Sequence, residues 1–322
     1  MTGAPVDALD GAGRQARRRR GHHHGHAHAT LANRSRLRLV LAVTVVVLVA
    51  EVVGAFVSGS LALLADAAHM LTDVGGLVLA LVAASLSLRP PDDSRTWGWR
   101  RAEVVAAAFQ AAALLAVGGF VVVQSVRRLL TPPDVESGAM LAFGVVGLVG
   151  NAVGIAVLAR SRRDNLNMRA AFLEVVNDAL GSVAVLLAAA VIAVSGWTRA
   201  DAVASLLIAA LIVPRTISLL RESVDVLLEA TPKDLDLGRV REHLLAMPHV
   251  HEVHDLHASQ VAAGVPVLTA HVVVDDSCFH DGHLRTLLDD LQGCLADDFD
   301  VEHSTFQFES AGHAGHEHAA HL

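Results

Sequence analysis

Of 322 residues, two are cysteines, Cys278 and Cys294, and none is tyrosine. A disulfide framework is thereby excluded. Two thiols can form one bridge at most, and both fall in a region read below as cytosolic, so free thiols are expected. Nothing resembles the Gly-rich loop that cradles nucleotide phosphates, which removes ATP hydrolysis of that type as an energy source. No His-Glu-x-x-His occurs, so the paired imidazoles and general base of an intramembrane metalloenzyme are absent. The chain opens on a polar, basic stretch rather than a cleavable apolar run, and no signal peptide is expected. Histidine is also missing where the chain is most apolar. Of 19 histidines, His69 alone lies within a long apolar run, the others being in the tails or after residue 240.

What is abundant is apolar sequence. Hydrophobic residues make up 53% of the chain, and the mean hydropathy is +0.47. Six runs, near 37–57, 61–88, 103–126, 138–159, 170–195 and 200–220, each reach the roughly 20 residues needed to cross a bilayer core. The formal charge of −8 describes no single surface, because cations crowd certain turns and acids fill the C-terminal part. Arg17 to Arg20, Arg34, Arg36 and Arg38 precede the first run, and Arg89, Arg95, Arg100 and Arg101 follow the second. Arg160, Arg162, Arg163 and Arg169 follow the fourth, and Arg221 and Lys233 the sixth. The positive-inside rule then predicts a multi-pass protein of the plasma (inner) membrane with both termini cytoplasmic. Arg127 and Arg128 fall on the opposite side; Asp134 or Glu136 are the expected partners.

Within this apolar sequence two pairs of ligand-type residues repeat one spacing. His69 and Asp73 lie in the second run, Glu174 and Asp178 in the fifth. Residues four apart share one face of a helix, one turn apart, so each pair aims two ligands in one direction. Two such helices face to face supply one imidazole and three carboxylates, enough for a four-coordinate divalent cation. The alternative is a set of polar residues tolerated in a bundle core. Each mid-membrane charge costs about 2.5–3.5 kcal/mol on insertion scales, which favours a functional set. Asp66, one turn before His69, and Glu51 in the first run are either relay or entry groups, or are satisfied by a neighbouring helix. Gln110, Gln124 and Asn151 read as interhelical hydrogen-bonding groups, and Gly144, Gly147, Gly150 and Gly154 as close-packing positions. Trp97 and Trp99 suit an interfacial anchor, and Arg101 with Glu103 a structural pair at the start of the third run.

Outside the apolar runs, residues 1–36 read as a disordered Arg/His-rich tail carrying Gly21-His-His-His-Gly-His-Ala-His. Residues 311–322 form a second His-rich tail with His313, His316, His318 and His321. Flexible imidazole tracts capture divalent metals weakly and exchange them fast, unless they are merely low-complexity ends. Residues 222–310 read as a small soluble domain in the order α-β-β-α-β. Asp234–Ala246 is helical, His249–Val261 and Val265–Val274 extended, Leu284–Leu295 an amphipathic helix and Val301–Glu309 a last strand. That order suits a ferredoxin-like α/β domain with an antiparallel sheet, small enough that a dimer partner would help to stabilise it. Cys294 reads as core beside Leu287 and Leu291, and Cys278 as a loop thiol or a soft ligand.

Taken together, Ser58-Gly-Ser-Leu-Ala-Leu-Leu-Ala-Asp-Ala-Ala-His-Met-Leu-Thr-Asp, Trp97-Gly-Trp-Arg-Arg-Ala-Glu-Val, Glu222-Ser-Val-Asp-Val-Leu-Leu-Glu, His254-Asp-Leu-His and Thr269-Ala-His-Val-Val-Val make the chain resemble the cation diffusion facilitator family of metal/proton antiporters. The resemblance covers nearly everything after residue 37. It implies a membrane all-α bundle of six transmembrane helices (37–221) followed by a cytosolic ferredoxin-like, metallochaperone-like domain (222–310). It also implies a homodimer embedded in membrane lipid that exports Zn²⁺ or a similar ion against protons, with no nucleic-acid partner and no enzymatic reaction. The transport site carries over to His69, Asp73 and Asp178. The fourth position departs from the pattern, because zinc exporters of this type usually place histidine where this chain has Glu174. A carboxylate is harder than imidazole and shifts preference toward Mn²⁺, Fe²⁺ or Co²⁺, with Cd²⁺ a further candidate; zinc stays first on family grounds. A second departure is Ala258-Ser259, where relatives often have a valine-tryptophan step. The resemblance further implies a regulatory metal site near His254, His271 and Glu309, with Asp255, His257, His280 and His283 as further candidates. A membrane metal sensor that transports nothing is the remaining rival.

Overall fold

The structure, a computed structural model, describes residues 23–160, 166–262 and 264–314. Arg17 to Arg20 and His22, the turn arginines Arg162 and Arg163, and the tail histidines His316, His318 and His321 lie outside the described residues. Six long helices come first: α1 His23–Ser58, α2 Leu61–Ser87, α3 Ala102–Leu130, α4 Ser137–Ala159, α5 Leu166–Ser195 and α6 Arg199–Leu227. Each contains a stretch apolar and long enough to cross a membrane. Large apolar side chains such as Phe56, Phe109, Leu187 and Val194 stand exposed along them. That is the pattern of helices solvated by lipid, where only backbones hydrogen-bonded within themselves are stable. Helix α1 begins at His23, inside the tail that low hydrophobicity marks as disordered. Ala27, Ala29, Leu31 and Ala32 are good helix formers, and a helix already nucleated in the span propagates cheaply back through them.

Two compact units divide the chain, residues 1–71 with 117–211 and residues 72–116 with 212–322. In the first, α4 packs against both α1 and α5. Its buried positions, Met140, Gly144, Gly147, Asn151, Gly154 and Leu158, alternate in steps of four and three and so form one stripe. Glycine lets neighbours come close: a Cβ on Gly144 would lie 3.0 Å from Leu186, and one on Gly154 2.9 Å from Val175. The α2 N-terminus is held by Asp201. Its buried carboxylate accepts from the Leu61 and Ala62 amides at 2.8 and 3.1 Å and from Ser60 Oγ at 2.5 Å. Ser60 Oγ in turn accepts from the Leu63 amide, so three of the otherwise unpaired N–H groups of the first turn are satisfied. Arg128 neutralises the same carboxylate at 3.2 Å and donates to the Gly59 carbonyl. Asp201, distant in sequence, thus replaces the expected partners. Glu136 instead caps α4 by accepting from the Ala139 amide.

In the second unit Arg101 pairs with Glu229 at 2.8 Å, whereas Glu103 accepts from Ser87 Oγ. The expected Arg101–Glu103 pair is replaced: Arg101, in the turn just before α3, reaches Glu229, and Glu103 in the first turn of α3 faces Ser87. Arg95 stacks over Trp99, and the Trp97 ring meets His303 edge-on. The soluble part of this unit comprises α7 Leu237–Leu245, β1 Val250–Ala262, β2 Val265–Val274, α8 Cys278–Asp281, α9 His283–Phe299, β3 His303–Glu309 and α10 Ala311–Ala314. Asp236 caps α7 through the Gly238 and Arg239 amides. The sheet has order β1-β2-β3, with β1 antiparallel to β2. β2 and β3, however, run parallel, which corrects the expected antiparallel sheet. The 17-residue helix α9 carries the chain back to the starting edge, as a parallel crossover requires. Val240 and Leu244 of α7 and Leu287, Leu291 and Leu295 of α9 close over Leu268, Ala270 and Val272 of β2. Cys278 is buried in this same cluster, not in a loop, and burial pushes its thiol pKa up, as expected for an inert core residue.

Candidate metal centres

His69 is the buried focus of the membrane-embedded polar residues. It sits on α2, whose first turn Asp201 pins, so the imidazole is carried on a helix with a fixed origin. Its Nε2 lies 3.8 Å from Asp178 Oδ1 and 3.9 Å from Glu174 Oε1 on α5. Both separations exceed a hydrogen bond. They approach the roughly 3.3–3.5 Å between ligand atoms around a tetrahedral ion bonded at about 2.0–2.2 Å. Oxygens and nitrogen at these separations could share one divalent ion after a small inward shift. Asp73 follows one turn along α2 and offers a carboxylate oxygen within 4.8 Å of the His69 ring nitrogen. The two α5 carboxylates differ in setting. The Asp178 side chain is 7% exposed and that of Glu174 29%, so Glu174 stands at the wetter edge.

Asp66 and Glu51, each 1% exposed, sit behind this cluster among small residues. A Cβ on Gly147 would lie 2.6 Å from Glu51 Oε1, and one on Gly181 2.6 Å from Asp66 Oδ1. Asn151 donates to Ser182 Oγ at 3.2 Å beside them. The glycines thus make room for buried carboxylates as well as for helices. No spacing rule reveals that, because it depends on which residues of α1, α4 and α5 meet. Asp201 was missed for the same reason. A local signal existed, an acid in the first turn of α6 facing a chain that reverses at Gly59.

In the soluble part, β1 and β2 place His254 directly opposite His271, and the parallel pairing of β2 with β3 brings Glu309 beside Val273. The buried Glu309 carboxylate meets His254 Nε2 at 3.2 Å and His271 Nδ1 at 2.8 Å. The two rings lie 5.3 Å apart, nearly edge-on, and Gln307 Nε2 donates to the same carboxylate at 2.7 Å. A break in register between His254 and His257, with Asp255 at φ 42°, marks a bulge in β1 next to the trio. His254, His271 and Glu309 form a converging set, and Asp255, His257, His280 and His283 stand outside it. His283 pairs with Asp281 instead. Asp275 meets His251 at 2.6 Å and His249 at 2.8 Å, and these bonds hold its carboxyl below the usual carboxylate range.

Comparison with known proteins adds a second line of observation. The family described as "Cation efflux transmembrane domain" matches residues 37–228, and "Cation efflux protein, cytoplasmic domain" matches residues 232–311. The metal cation efflux system protein CzcD of Cupriavidus metallidurans is 42% identical over 264 residues, 82% of this chain and 83% of that protein. The zinc transporter ZitB of Escherichia coli is 40% identical over 287 residues, 85% of this chain and 90% of that protein. A cadmium, cobalt and zinc/H(+)-K(+) antiporter of Bacillus subtilis is 32% identical over 271 residues, 83% and 86% of the two chains. A solved metal-bound C-terminal domain of the CzcD transporter is 40% identical over 23% of this chain and 99% of that one, at a TM-score of 0.22.

Proposed function

This chain belongs to the cation efflux family, and from that premise we propose that it exports a divalent metal ion, Zn²⁺ first, in exchange for protons through His69, Asp73, Glu174 and Asp178. As a member of this family it is a multi-pass membrane transporter and not an enzyme. The observation that carries the site is the buried His69 imidazole with two α5 carboxylate oxygens 3.8 and 3.9 Å away, inside helices solvated by lipid. The names of the relatives, zinc transporter and cadmium, cobalt and zinc/H(+)-K(+) antiporter, support both the cargo and the exchange.

Proton coupling follows from the ligand chemistry if the site alternates its access. Imidazole and carboxylate bind metal only when deprotonated. With the site open to a neutral cytoplasm the ion enters and protons leave. Opened to a more acidic side, the same groups take protons and the ion is released. Loading and unloading are thus linked to proton movement without a separate coupling device. The match to the cytoplasmic domain family supports a homodimer with its soluble part, and both termini, in the cytoplasm of a cell whose inner or plasma membrane holds the helices. His254, His271 and Glu309 serve as a cytosolic metal site that reads metal supply.

Zinc uptake into proteoliposomes under an imposed pH gradient tests this reading. The wild type should move zinc inward and protons outward. Asp178→Ala should abolish both, with dimer and circular dichroism retained. Normal flux in that variant would overturn the site. Metal binding without flux in the wild type would leave a sensor.

A further inference from the structure

Among the described residues one cysteine is not fully buried, and it has company. Helix α9 carries Cys294 and Asp298 four residues apart, hence on one face, and α7 brings His243 in its last turn. His243 Nε2 stands 3.3 Å from Asp298 Oδ2. The ligand atoms of all three, an imidazole nitrogen, a sulfur and a carboxylate oxygen, lie within 4.8 Å of one another. Neither helix is free to drift. Asp236 caps α7, and Leu287, Leu291 and Leu295 anchor α9 in the core. The His243 ring rests edge-on against Phe299, centroids 5.6 Å apart, so protein packing orients it without any ion.

We propose that His243, Cys294 and Asp298 form a further metal site on the cytosolic domain, for a thiophilic divalent cation of the Zn²⁺, Co²⁺ or Cd²⁺ class. A surface His–Asp pair would account for the imidazole and the carboxylate. It would not account for a thiol converging on the same point from the next turn of α9. The donor set selects the cargo class, because sulfur and imidazole disfavour Mg²⁺ and Ca²⁺ and suit borderline-soft ions. Three protein donors leave a tetrahedral ion one position for water, the mark of an open site rather than a closed structural one. The His243 and Asp298 side chains are 47% and 55% exposed, which provides an entry path. The ion therefore exchanges with the cytosol faster than one held by the enclosed His254, His271 and Glu309. The site would occupy the helical layer of the domain, where an ion ties α7 to α9.

Cobalt gives a readout specific to this site, because neither the His69 cluster nor the His254 trio contains sulfur. Titrating purified, reduced full-length protein with Co²⁺ should produce a sulfur-to-cobalt charge-transfer band in the near ultraviolet. That band should persist in Cys278→Ser and vanish in Cys294→Ser. In His243→Ala its midpoint should move at least tenfold toward higher Co²⁺. Alkylation supplies a second measurement that needs no Cys278 variant. Zn²⁺ should slow iodoacetamide modification of Cys294, mapped by mass spectrometry, and a chelator should restore it. No band at saturating Co²⁺ in the wild type, a band surviving Cys294→Ser, or alkylation of Cys294 unaffected by Zn²⁺ would each overturn the site. None of these outcomes bears on transport through His69, so failure here is separable from failure of the proposed function.

Discussion

At the scale of single residues, Glu174 is the most informative position. It is the one proposed membrane ligand that departs from the family pattern, and its side chain is more exposed than that of Asp178. A carboxylate there adds charge and a hard oxygen, whereas a neutral imidazole would add a borderline nitrogen. Glu174→His should therefore favour Zn²⁺ over Mn²⁺ or Fe²⁺ in competition. It should also move the pH dependence of transport upward, since imidazole titrates about two units above a model carboxylate. Competition assays on both proteins across a pH series check this. Unchanged selectivity and an unchanged profile would mean that Glu174 does not touch the ion. Glu309 is the corresponding test in the soluble part. It receives both His254 and His271, and Glu309→Gln keeps the shape while removing the charge. Equilibrium dialysis should show metal lost per chain, with zinc flux retained at saturating zinc. Full metal stoichiometry in the variant would remove Glu309 from the ligand set.

Elements explain why part of this was legible in the sequence and part was not. His69 with Asp73, and Glu174 with Asp178, were readable because helical periodicity alone places residues four apart on one face. The six spans were readable because a bilayer imposes length and apolarity on every crossing. His254, His271 and Glu309 came through the resemblance, since nothing in a strand's alternation says which strand lies beside which. The direction of β3 was missed for that reason, and so was the burial of Cys278, which depends on α8 folding onto the sheet. The meeting of Asp66 with a glycine of α5 was out of reach as well, because it needs the register of packed helices. That contact yields a prediction. In Gly181→Ala the new methyl would press on a buried carboxyl at 2.6 Å, and Asp66, enclosed on α2 one turn from His69, has little room to yield. Transport rate should fall at least tenfold, with the helical circular dichroism unchanged. Gly75→Ala, where a Cβ meets nothing within 4 Å, should be near wild type. Equal rates in the two variants would show that the carboxylate pocket is not tightly packed.

For the whole molecule, the proposed direction of export depends on which side each turn faces. Arg89, Arg95, Arg100 and Arg101 lie in the α2–α3 turn, whereas the α5–α6 turn carries Arg199 as its one cation. Translocating a cluster of four arginines costs far more than translocating one, so the first turn should remain cytoplasmic. The Trp97–His303 and Arg101–Glu229 contacts place that turn in touch with the soluble domain and the end of α6. In the proposed topology that turn and the soluble domain share the cytoplasmic side, so an ion leaving the cytoplasm would enter from the side of the domain. Arg128, on the opposite side, is paired with Asp201 at 3.2 Å, so the pair adds no net positive charge there. Cysteine labelling in a background without Cys278 and Cys294 decides the matter. Ser94 and Ser195 are both exposed and lie on opposite sides in this topology. A membrane-impermeant maleimide applied to intact cells should modify Ser195→Cys and spare Ser94→Cys, which should react only after permeabilisation. The reverse pattern would invert the protein in the membrane. The proposed exporter would then become an importer running with the same ligands, and zinc flux in oriented vesicles would have to change sign with it.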